Sequence, residues 1–261
     1  MVDVDLMVRA GTTLMLGLPR MIVALSMLPM FSRQAISISI RSMVAVVFVL
    51  PILPTLWVQV DHVPGTMSWL AVVIFKEAAL GICLAMVLAV PFWIAEGIGF
   101  LIDNQRGASM ASIFNAQSGN ETSPLGILLN LAYVVFFLSA GGLTLLLDAV
   151  YGSYSAWPVA SLFPNFDIAF ARHYLNLMDR LIGTTVLLGA PVMIALLLAE
   201  LALALVSMFT PQLQVFFLAM PIKSGVALFV LLMYFSLLID VLINTHSNFS
   251  AAVRALGALP Q

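Results

Sequence analysis

The stretch GFLIDNQRGASMASIFNAQSGNETSPLG, residues 99–126, divides a chain that is otherwise almost continuously apolar. It is the most polar long interval of the sequence. Acid, amide, arginine and hydroxyl side chains lie close together in it, and its ends contain glycine or proline. Such groups need water or hydrogen-bond partners wherever they lie. The stretch therefore predicts a polar connection between two apolar segments, on which the rest of the fold depends.

The composition around this interval is that of a membrane protein. Of the 261 residues, 62% are hydrophobic and 8% are charged, and the mean hydropathy is +1.12. Soluble domains contain roughly 25% charged residues. Ten basic and twelve acidic residues are too few to cover a soluble core of this size. Membrane lipid is therefore the expected surrounding of most side chains.

Charge, cysteine content and motif content exclude several classes of function. The net charge is −2 and no basic cluster is present, so nucleic acid is not an expected partner. Cys83 is the one cysteine, so no internal disulfide or cysteine-based metal site can form. The histidines are far apart, and the sequence has no nucleophile motif, P-loop or dinucleotide fingerprint. We therefore predict no enzyme activity, no metal and no cofactor.

Six apolar segments are long enough to cross about 30 Å of hydrocarbon, which takes about 20 helical residues. Prolines fall in or near most of them, and each proline kinks or ends a helix. We therefore predict an all-α membrane protein, residues 1–261, whose segments form hairpins packed within an assembly. A long connection is expected at residues 148–179. The segments are residues 11–31, 36–57, 69–95, 125–147, 181–209 and 224–243.

Three ionisable residues within these segments are candidate buried polar groups. A charge at membrane depth costs on the order of 2.5–3.5 kcal/mol, so it faces protein or a water-filled cavity. Lys76 and Glu77 are adjacent and point about 100° apart on a helix, so separate partners are expected. Glu200 fits a buried glutamate that is hydrogen-bonded to a neighbouring helix, or a proton or ion relay. Because no second carboxylate or histidine is near it in sequence, we favour the first interpretation.

Glu96, Asp103 and Arg106 form a predicted charged corner at the start of the polar interval. Glu96 and Asp103 are two helical turns apart, so they share a face if the helix continues beyond Pro91. Arg106 follows Asp103 by three residues, which allows a local ion pair. A structural salt-bridged corner is the interpretation that we favour.

Three strings of residues are distinctive: IDNQRGAS at residues 102–109, SPLG at residues 123–126 and FTPQLQVFFLAMPIKSG at residues 209–225. They resemble the T subunit of the type III secretion export apparatus, the SctT family, which is related to the flagellar export subunit FliR. YGSYSAWP at residues 151–158 supports the resemblance, which extends in order over nearly the whole chain. The strings are closer to the injectisome branch, so the resemblance favours a virulence-associated secretion system. A flagellar export gate is the alternative.

The resemblance implies a place in an export gate of the bacterial inner membrane. Members of the family sit once beside several copies of the R and S subunits, in a helical assembly through which unfolded secreted proteins enter. In this family the N-terminal portion is similar to an R subunit and the C-terminal helical hairpin is similar to an S subunit. The matching residues here are 1–178 and 179–261. Assembled gates lie largely above the membrane plane. The switch (U) subunit and the cytoplasmic export machinery are further implied partners.

The resemblance also implies a role for the polar interval. Family members place a loop between the two central apolar segments into the lumen, where it plugs the closed channel, and the matching residues here are 107–124. Apolar side chains can seal a wet pore, and glycines widen the choice of backbone conformations. Composition alone favours an ordinary surface loop. The candidate plug residues are Gly107, Ser109, Met110, Ile113, Phe114, Asn115 and Gly119.

The tip of the C-terminal hairpin is the candidate contact with other subunits. Its residues are Pro211, Gln212, Pro221 and Lys223, and Lys223 is expected to contact neighbouring subunits or the cytoplasmic machinery. The competing class is a stand-alone secondary transporter that uses Glu200 as its coupling carboxylate. Broken helices and midplane polar groups are typical of such transporters, but the internal repeat that many of them carry is not evident here.

Overall fold

The computed structural model describes residues 4–32, 36–60, 66–108, 123–161, 168–209 and 215–257. Within these ranges every regular element is a helix, which confirms the predicted all-α class. Short 3₁₀ turns lie at Pro29–Phe31 and Leu50–Ile52. The α-helices are α1 (Val4–Ser26), α2 (Ile38–Val49), α3 (Leu53–Val60), α4 (Met67–Arg106), α5 (Pro124–Ser139), α6 (Gly142–Ala156), α7 (Ile168–Phe209) and α8 (Val215–Gly257).

Five stretches of helix in the described residues are long and apolar enough to cross a membrane, and α5 with α6 forms a sixth candidate that bends by 80°. The expected long connection at residues 148–179 is wrong over much of its length, because α6 continues to Ala156 and α7 begins at Ile168. Its tyrosines fit within packed helices because their hydroxyls find backbone acceptors. Tyr154 Oη donates to the carbonyl of Gly17 at 2.7 Å.

Several prolines lie inside helices without ending them. A proline removes one backbone donor, but an apolar surrounding makes every remaining backbone hydrogen bond in the helix obligatory. The helices therefore continue, so of the two expected effects of a proline, a kink or a helix end, the second does not occur at these positions. The prolines inside α1, α4, α7 and α8 are Pro19, Pro91, Pro191 and Pro221.

The helices group into two compact units. Unit 1 takes the described residues of 1–90, 137–175 and 246–261, and unit 2 takes those of 91–136 and 176–245. Helix α4 contributes to both units, and the division falls at Pro91. The subunit likeness expected on either side of residue 178 is a different division, and it stays a prediction.

The core of unit 1 forms around α1. Helix α1 packs against α2 and α3, and Leu16, Met21 and Leu25 on α1 are fully buried. A Cβ atom at Gly17 would lie 2.7 Å from the side chain of Leu56, so the absence of a side chain permits this close packing.

The core of unit 2 forms where α4 meets α5. The rings of Phe92 and Tyr133 pack edge to face, with centroids 4.9 Å apart. A Cβ atom at Gly99 would clash with the backbone nitrogen of Gly126, so the two helix backbones touch there. This contact brings the end of α4 beside the start of α5.

Helices α7 and α8 expose much of their apolar surface. Leu187 on α7 is 71% exposed, and Leu232 and Met233 on α8 are each 76% exposed. Contiguous apolar surface of this kind is covered by lipid or by other proteins.

Candidate functional site: a charged corner and a buried charge cluster

The charged corner begins in the last turn of α4. Arg106 Nε donates to Asp103 Oδ1 at 2.7 Å, which is the ion pair expected from their spacing. Asp103 is buried, whereas the side chain of Arg106 is 14% exposed. The corner therefore has one side in the protein and one side open.

The carboxylate of Asp103 also reaches the far end of the polar interval. Its Oδ2 atom accepts hydrogen bonds from Ser123 Oγ at 2.6 Å and from the backbone nitrogen of Leu125 at 2.9 Å. The backbone carbonyl of Asp103 accepts a bond from the nitrogen of Ala108 at 3.0 Å. One residue thus holds both flanks of residues 109–122, which we call the central segment.

The string SPLG starts α5. Ser123 is the N-cap, because its Oγ accepts a bond from the nitrogen of Gly126 at 2.9 Å. Pro124 occupies the first helical position, where no backbone donor is needed. The Asp103 carboxylate adds a negative charge at this N-terminus, which the helix dipole favours. Gly126 provides the close approach to Gly99 described above.

The string IDNQRGAS ends α4 in a Schellman motif. The nitrogen of Gly107 donates to the carbonyl of Asn104 at 3.2 Å, and the nitrogen of Ala108 donates to that of Asp103 at 3.0 Å. Gly107 has φ +84°, a left-handed conformation that glycine adopts without strain. Gly107, expected as a plug residue, therefore ends the helix that precedes the central segment.

Glu96 lies on the same side of α4 as Asp103, because both contact α5. Its Oε2 accepts a hydrogen bond from Asn130 Nδ2 at 2.9 Å. Helix α4 continues through Pro91, which is the condition for this shared face. Glu96 is exposed, so its contact with α5 is open to the surroundings.

Glu200 and Lys223 form an ion pair between α7 and α8, with Lys223 Nζ 2.9 Å from Glu200 Oε2. The expected partner on a neighbouring helix is present, but the side chain of Glu200 is 54% exposed within the chain, so its expected burial is not found. Its place in the middle of an apolar run indicates how far Glu200 lies from the helix ends. It does not indicate whether the side chain faces the protein interior or the outer surface. Lys223 Nζ also donates to the carbonyl of Gln105 at 3.3 Å.

Unit 1 contains a second group of charges, the buried cluster, formed by Arg20, Lys76 and Glu77. Arg20 Nε donates to Glu77 Oε2 at 2.7 Å, and both side chains are fully buried. The remaining guanidinium nitrogens donate to Ser153 Oγ at 3.0 Å and to the carbonyl of Trp157 at 2.9 Å. The guanidinium carbon lies 4.2 Å from the centre of the Tyr154 ring, a cation–π contact.

Lys76 completes the buried cluster. Its Nζ donates to the carbonyls of Pro158, Val159 and Ser161 at 3.1, 3.0 and 2.8 Å. The two neighbours thus have the separate partners that were expected, because Glu77 pairs with Arg20 and Lys76 with these carbonyls. Lys76 Nζ also lies 2.9 Å from Glu77 Oε1, so the expectation that the two side chains do not face each other is wrong. The long lysine side chain spans the angle between the two positions. Burial of Lys76 and Glu77 agrees with the prediction.

Arg20 is the residue that sequence reasoning missed. An arginine inside an apolar run is a signal by itself, because it must be paired at that depth. Its partner Glu77 is 57 residues away, and neither periodicity nor a motif joins them.

Several predicted site residues lie outside the described residues, and Pro221 lies exposed within α8. In the parts of the chain that the structure describes, no group of three His, Cys, Asp or Glu side chains could hold a metal ion. The residues outside are Ser109, Met110, Ile113, Phe114, Asn115 and Gly119 of the candidate plug, and Pro211 and Gln212 of the hairpin tip.

The profile of the family described as "Bacterial export proteins, family 1" matches residues 12–249. The chain belongs to this family. It is 38% identical over 231 residues to the Yop proteins translocation protein T of Yersinia pestis, with 88% of each chain covered. It is 35% identical to the surface presentation of antigens protein SpaR of Shigella flexneri, with 78% of this chain and 77% of SpaR covered.

A flagellar relative belongs to the same comparison. The flagellar biosynthetic protein FliR of Bacillus subtilis is 32% identical, with 71% of this chain and 72% of FliR covered. The resemblance to the SctT and FliR subunits is thus confirmed. The chain is a multi-pass inner-membrane subunit of a type III secretion or flagellar export apparatus.

Proposed function

We propose that this protein is the T subunit of a type III secretion export gate. It assembles with R and S subunits into the channel for unfolded proteins, and residues 107–124 plug that channel when it is closed. The identities of 38% and 35% to secretion-system relatives, beside 32% to the flagellar one, favour the injectisome branch. A flagellar export gate is the alternative.

The observation that supports the plug is the set of hydrogen bonds by which Asp103 joins the end of α4 to the start of α5. The chain leaves α4 and returns to α5 at one carboxylate, so both flanks of the central segment are anchored together. Anchoring the two ends removes conformational freedom from the loop between them. A loop anchored in this way suits a plug, because its base is held in place.

The exposed apolar faces of α7 and α8 support assembly with other membrane subunits. These two helices form the proposed S-like hairpin within residues 179–261, and residues 1–178 form the R-like portion. Packing among subunits would cover side chains such as Leu187 and Leu232. In this arrangement the gate lies partly above the membrane plane, and the hairpin tip faces the U subunit and the cytoplasmic machinery.

The plug is tested in cells that produce the complete apparatus. Deletion of residues 109–122 is expected to let a normally impermeant small molecule cross the inner membrane, because the closed channel loses its seal. The leak is measured relative to the amount of assembled complex. A tight membrane with normal assembly would contradict the plug.

A length-matched variant separates the seal from the length of the loop. Met110, Ile113 and Phe114 changed together to serine keep all residues in place but remove the apolar side chains. We expect a leak smaller than that of the deletion, because hydrophobic occlusion is lost while the loop remains. A matched control changes Ser109 and Asn115 to alanine, which keeps the apolar side chains.

A stand-alone transporter that uses Glu200 is the weaker candidate. The carboxylate already pairs with Lys223, and it is half-exposed on a helix that is largely uncovered. Purification in a mild detergent discriminates between the two functions. Recovery only with other small membrane subunits supports the gate, and transport by the isolated chain supports the transporter.

A further inference from the structure

The end of α4 has one backbone carbonyl that another helix caps. The Schellman motif satisfies the carbonyls of Asp103 and Asn104 with the nitrogens of Ala108 and Gly107. The next carbonyl, that of Gln105, accepts its hydrogen bond from Lys223 Nζ at 3.3 Å. A cation at this position is also favoured by the dipole at the C-terminus of the helix.

Helix α8 touches the same place through a second residue. A Cβ atom at Gly107 would lie 3.9 Å from the side chain of Met220, which precedes Lys223 by about one helical turn. Two residues of α8 thus contact the last residues before the central segment. Only 12% of the Lys223 side chain is exposed, and Glu200 Oε2 on α7 holds the same ammonium at 2.9 Å.

The two ties at this place differ in origin. The tie made by Asp103 joins α4 to α5, the two helices that flank the central segment. The tie made by Lys223 comes from the hairpin of α7 and α8, which is remote in sequence. A displacement of this hairpin would therefore displace the end of α4. The hydrogen bonds of Asp103 would stay intact, because they join α4 only to the start of α5.

We propose that Lys223 is a positioning residue that couples the hairpin of α7 and α8 to the base of the central segment. Its bond to the carbonyl of Gln105 holds this base in place, and Glu200 orients the ammonium. The coupling rests on the proposed role of the central segment as a plug. Helix α7 also packs against α4, where Thr185 lies beside Gly97. Lys223 is the polar contact through which movement of the hairpin, caused by a neighbouring subunit, reaches the base of the plug.

The first test is Lys223→Met in cells that produce the complete apparatus. Methionine keeps the length and apolar stem but has no donor, so we expect a leak several-fold above wild type and below that of the 109–122 deletion. Lys223→Arg keeps charge and donors, and it is expected to remain tight. A tight Lys223→Met with normal assembly would overturn the proposal.

A charge swap separates the ion pair from the bond to the carbonyl. Glu200→Lys combined with Lys223→Glu restores opposite charges on α7 and α8, but a glutamate at position 223 cannot donate to the Gln105 carbonyl. We expect the swap to leak as Lys223→Met does, and Glu200→Gln, which keeps the lysine, to leak less. A tight swap would show that the ion pair alone matters, and would overturn the proposal.

The same set of variants distinguishes this inference from the proposed function. If the 109–122 deletion is tight, the plug itself fails. If the deletion leaks and Lys223→Met is tight, only the coupling fails. Should Lys223→Met fail to assemble, the swap decides the question, because it keeps both charges on the same two helices.

Discussion

The buried cluster of unit 1 and the charged corner of unit 2 use similar chemistry for different tasks. Each joins acidic and basic side chains, and each holds backbone that follows or precedes a helix end. The cluster holds the turn at residues 157–161 after α6, and the corner holds the two flanks of the central segment. The cluster is almost completely buried, whereas the corner is partly open.

The difference in burial shows how each group of charges contributes to the fold. The cluster contains two cations and one carboxylate, and the remaining donors bond to the hydroxyl of Ser153 and to backbone carbonyls. Removal of its carboxylate leaves two buried cations without an anion, which is costly. In the corner, Arg106 pairs with Asp103, and the second carboxylate, Glu96, is exposed, so loss of one charge there is partly screened. The cluster acts as a fixed support, and the corner as an anchor.

The largest effect is expected for Glu77→Gln in the buried cluster. Loss of one partner of a buried ion pair costs about 3–5 kcal/mol of the free energy of unfolding. The purified complex should therefore unfold at a clearly lower denaturant concentration or temperature. Glu96→Gln, at an exposed carboxylate in the corner, is the matched control and should differ little. Equal stability of the two variants would remove the distinction between the groups.

A smaller effect is expected for Asp103→Asn. The amide oxygen can still accept one bond, but the charge that serves Arg106, Ser123 and the nitrogen of Leu125 is lost. A cost of about 1–3 kcal/mol is typical for a buried group left unsatisfied. The same unfolding measurement checks it, with Asp179→Asn on the exposed side of α7 as control. A loss as large as that of Glu77→Gln would mean that the corner is as rigid a support as the cluster.

The smallest effect is expected for Ser123→Ala. The N-cap bond to the nitrogen of Gly126 is lost, at a cost of about 1 kcal/mol, while the Asp103 carboxylate still holds Leu125. Ser207→Ala, whose hydroxyl only bonds back within α7, is the control. If hydrogen exchange at the start of α5 is unchanged in Ser123→Ala, the cap does not hold this end.

Sequence reasoning found features that depend on neighbours in the chain. The all-α class follows from composition, and the pair of Asp103 and Arg106 follows from a spacing of three residues. The cap at Ser123 was not predicted, although serine followed by proline is typical of a helix start. These features need no knowledge of which helices pack together.

The features that it missed depend on packing between distant segments. The acceptors of Lys76 are backbone carbonyls, which have no side-chain signature in the sequence. Glu200 was assigned to the interior because its neighbours are apolar, but apolar residues also cover the outer surface of a membrane protein. The partner of Lys223 on α4 is the backbone carbonyl of Gln105, which likewise has no side-chain signature in the sequence.

The capping of α5 has a consequence for where this helix can begin. Pro124 has no backbone donor, the nitrogen of Leu125 is bonded to Asp103, and that of Gly126 is bonded to Ser123. The first turn of a helix usually requires hydration of its free donors. Here the protein's own oxygens replace that water, so α5 can begin in a dry environment. The start of α5 is thus fixed by Asp103 and Ser123 and does not require contact with the aqueous phase.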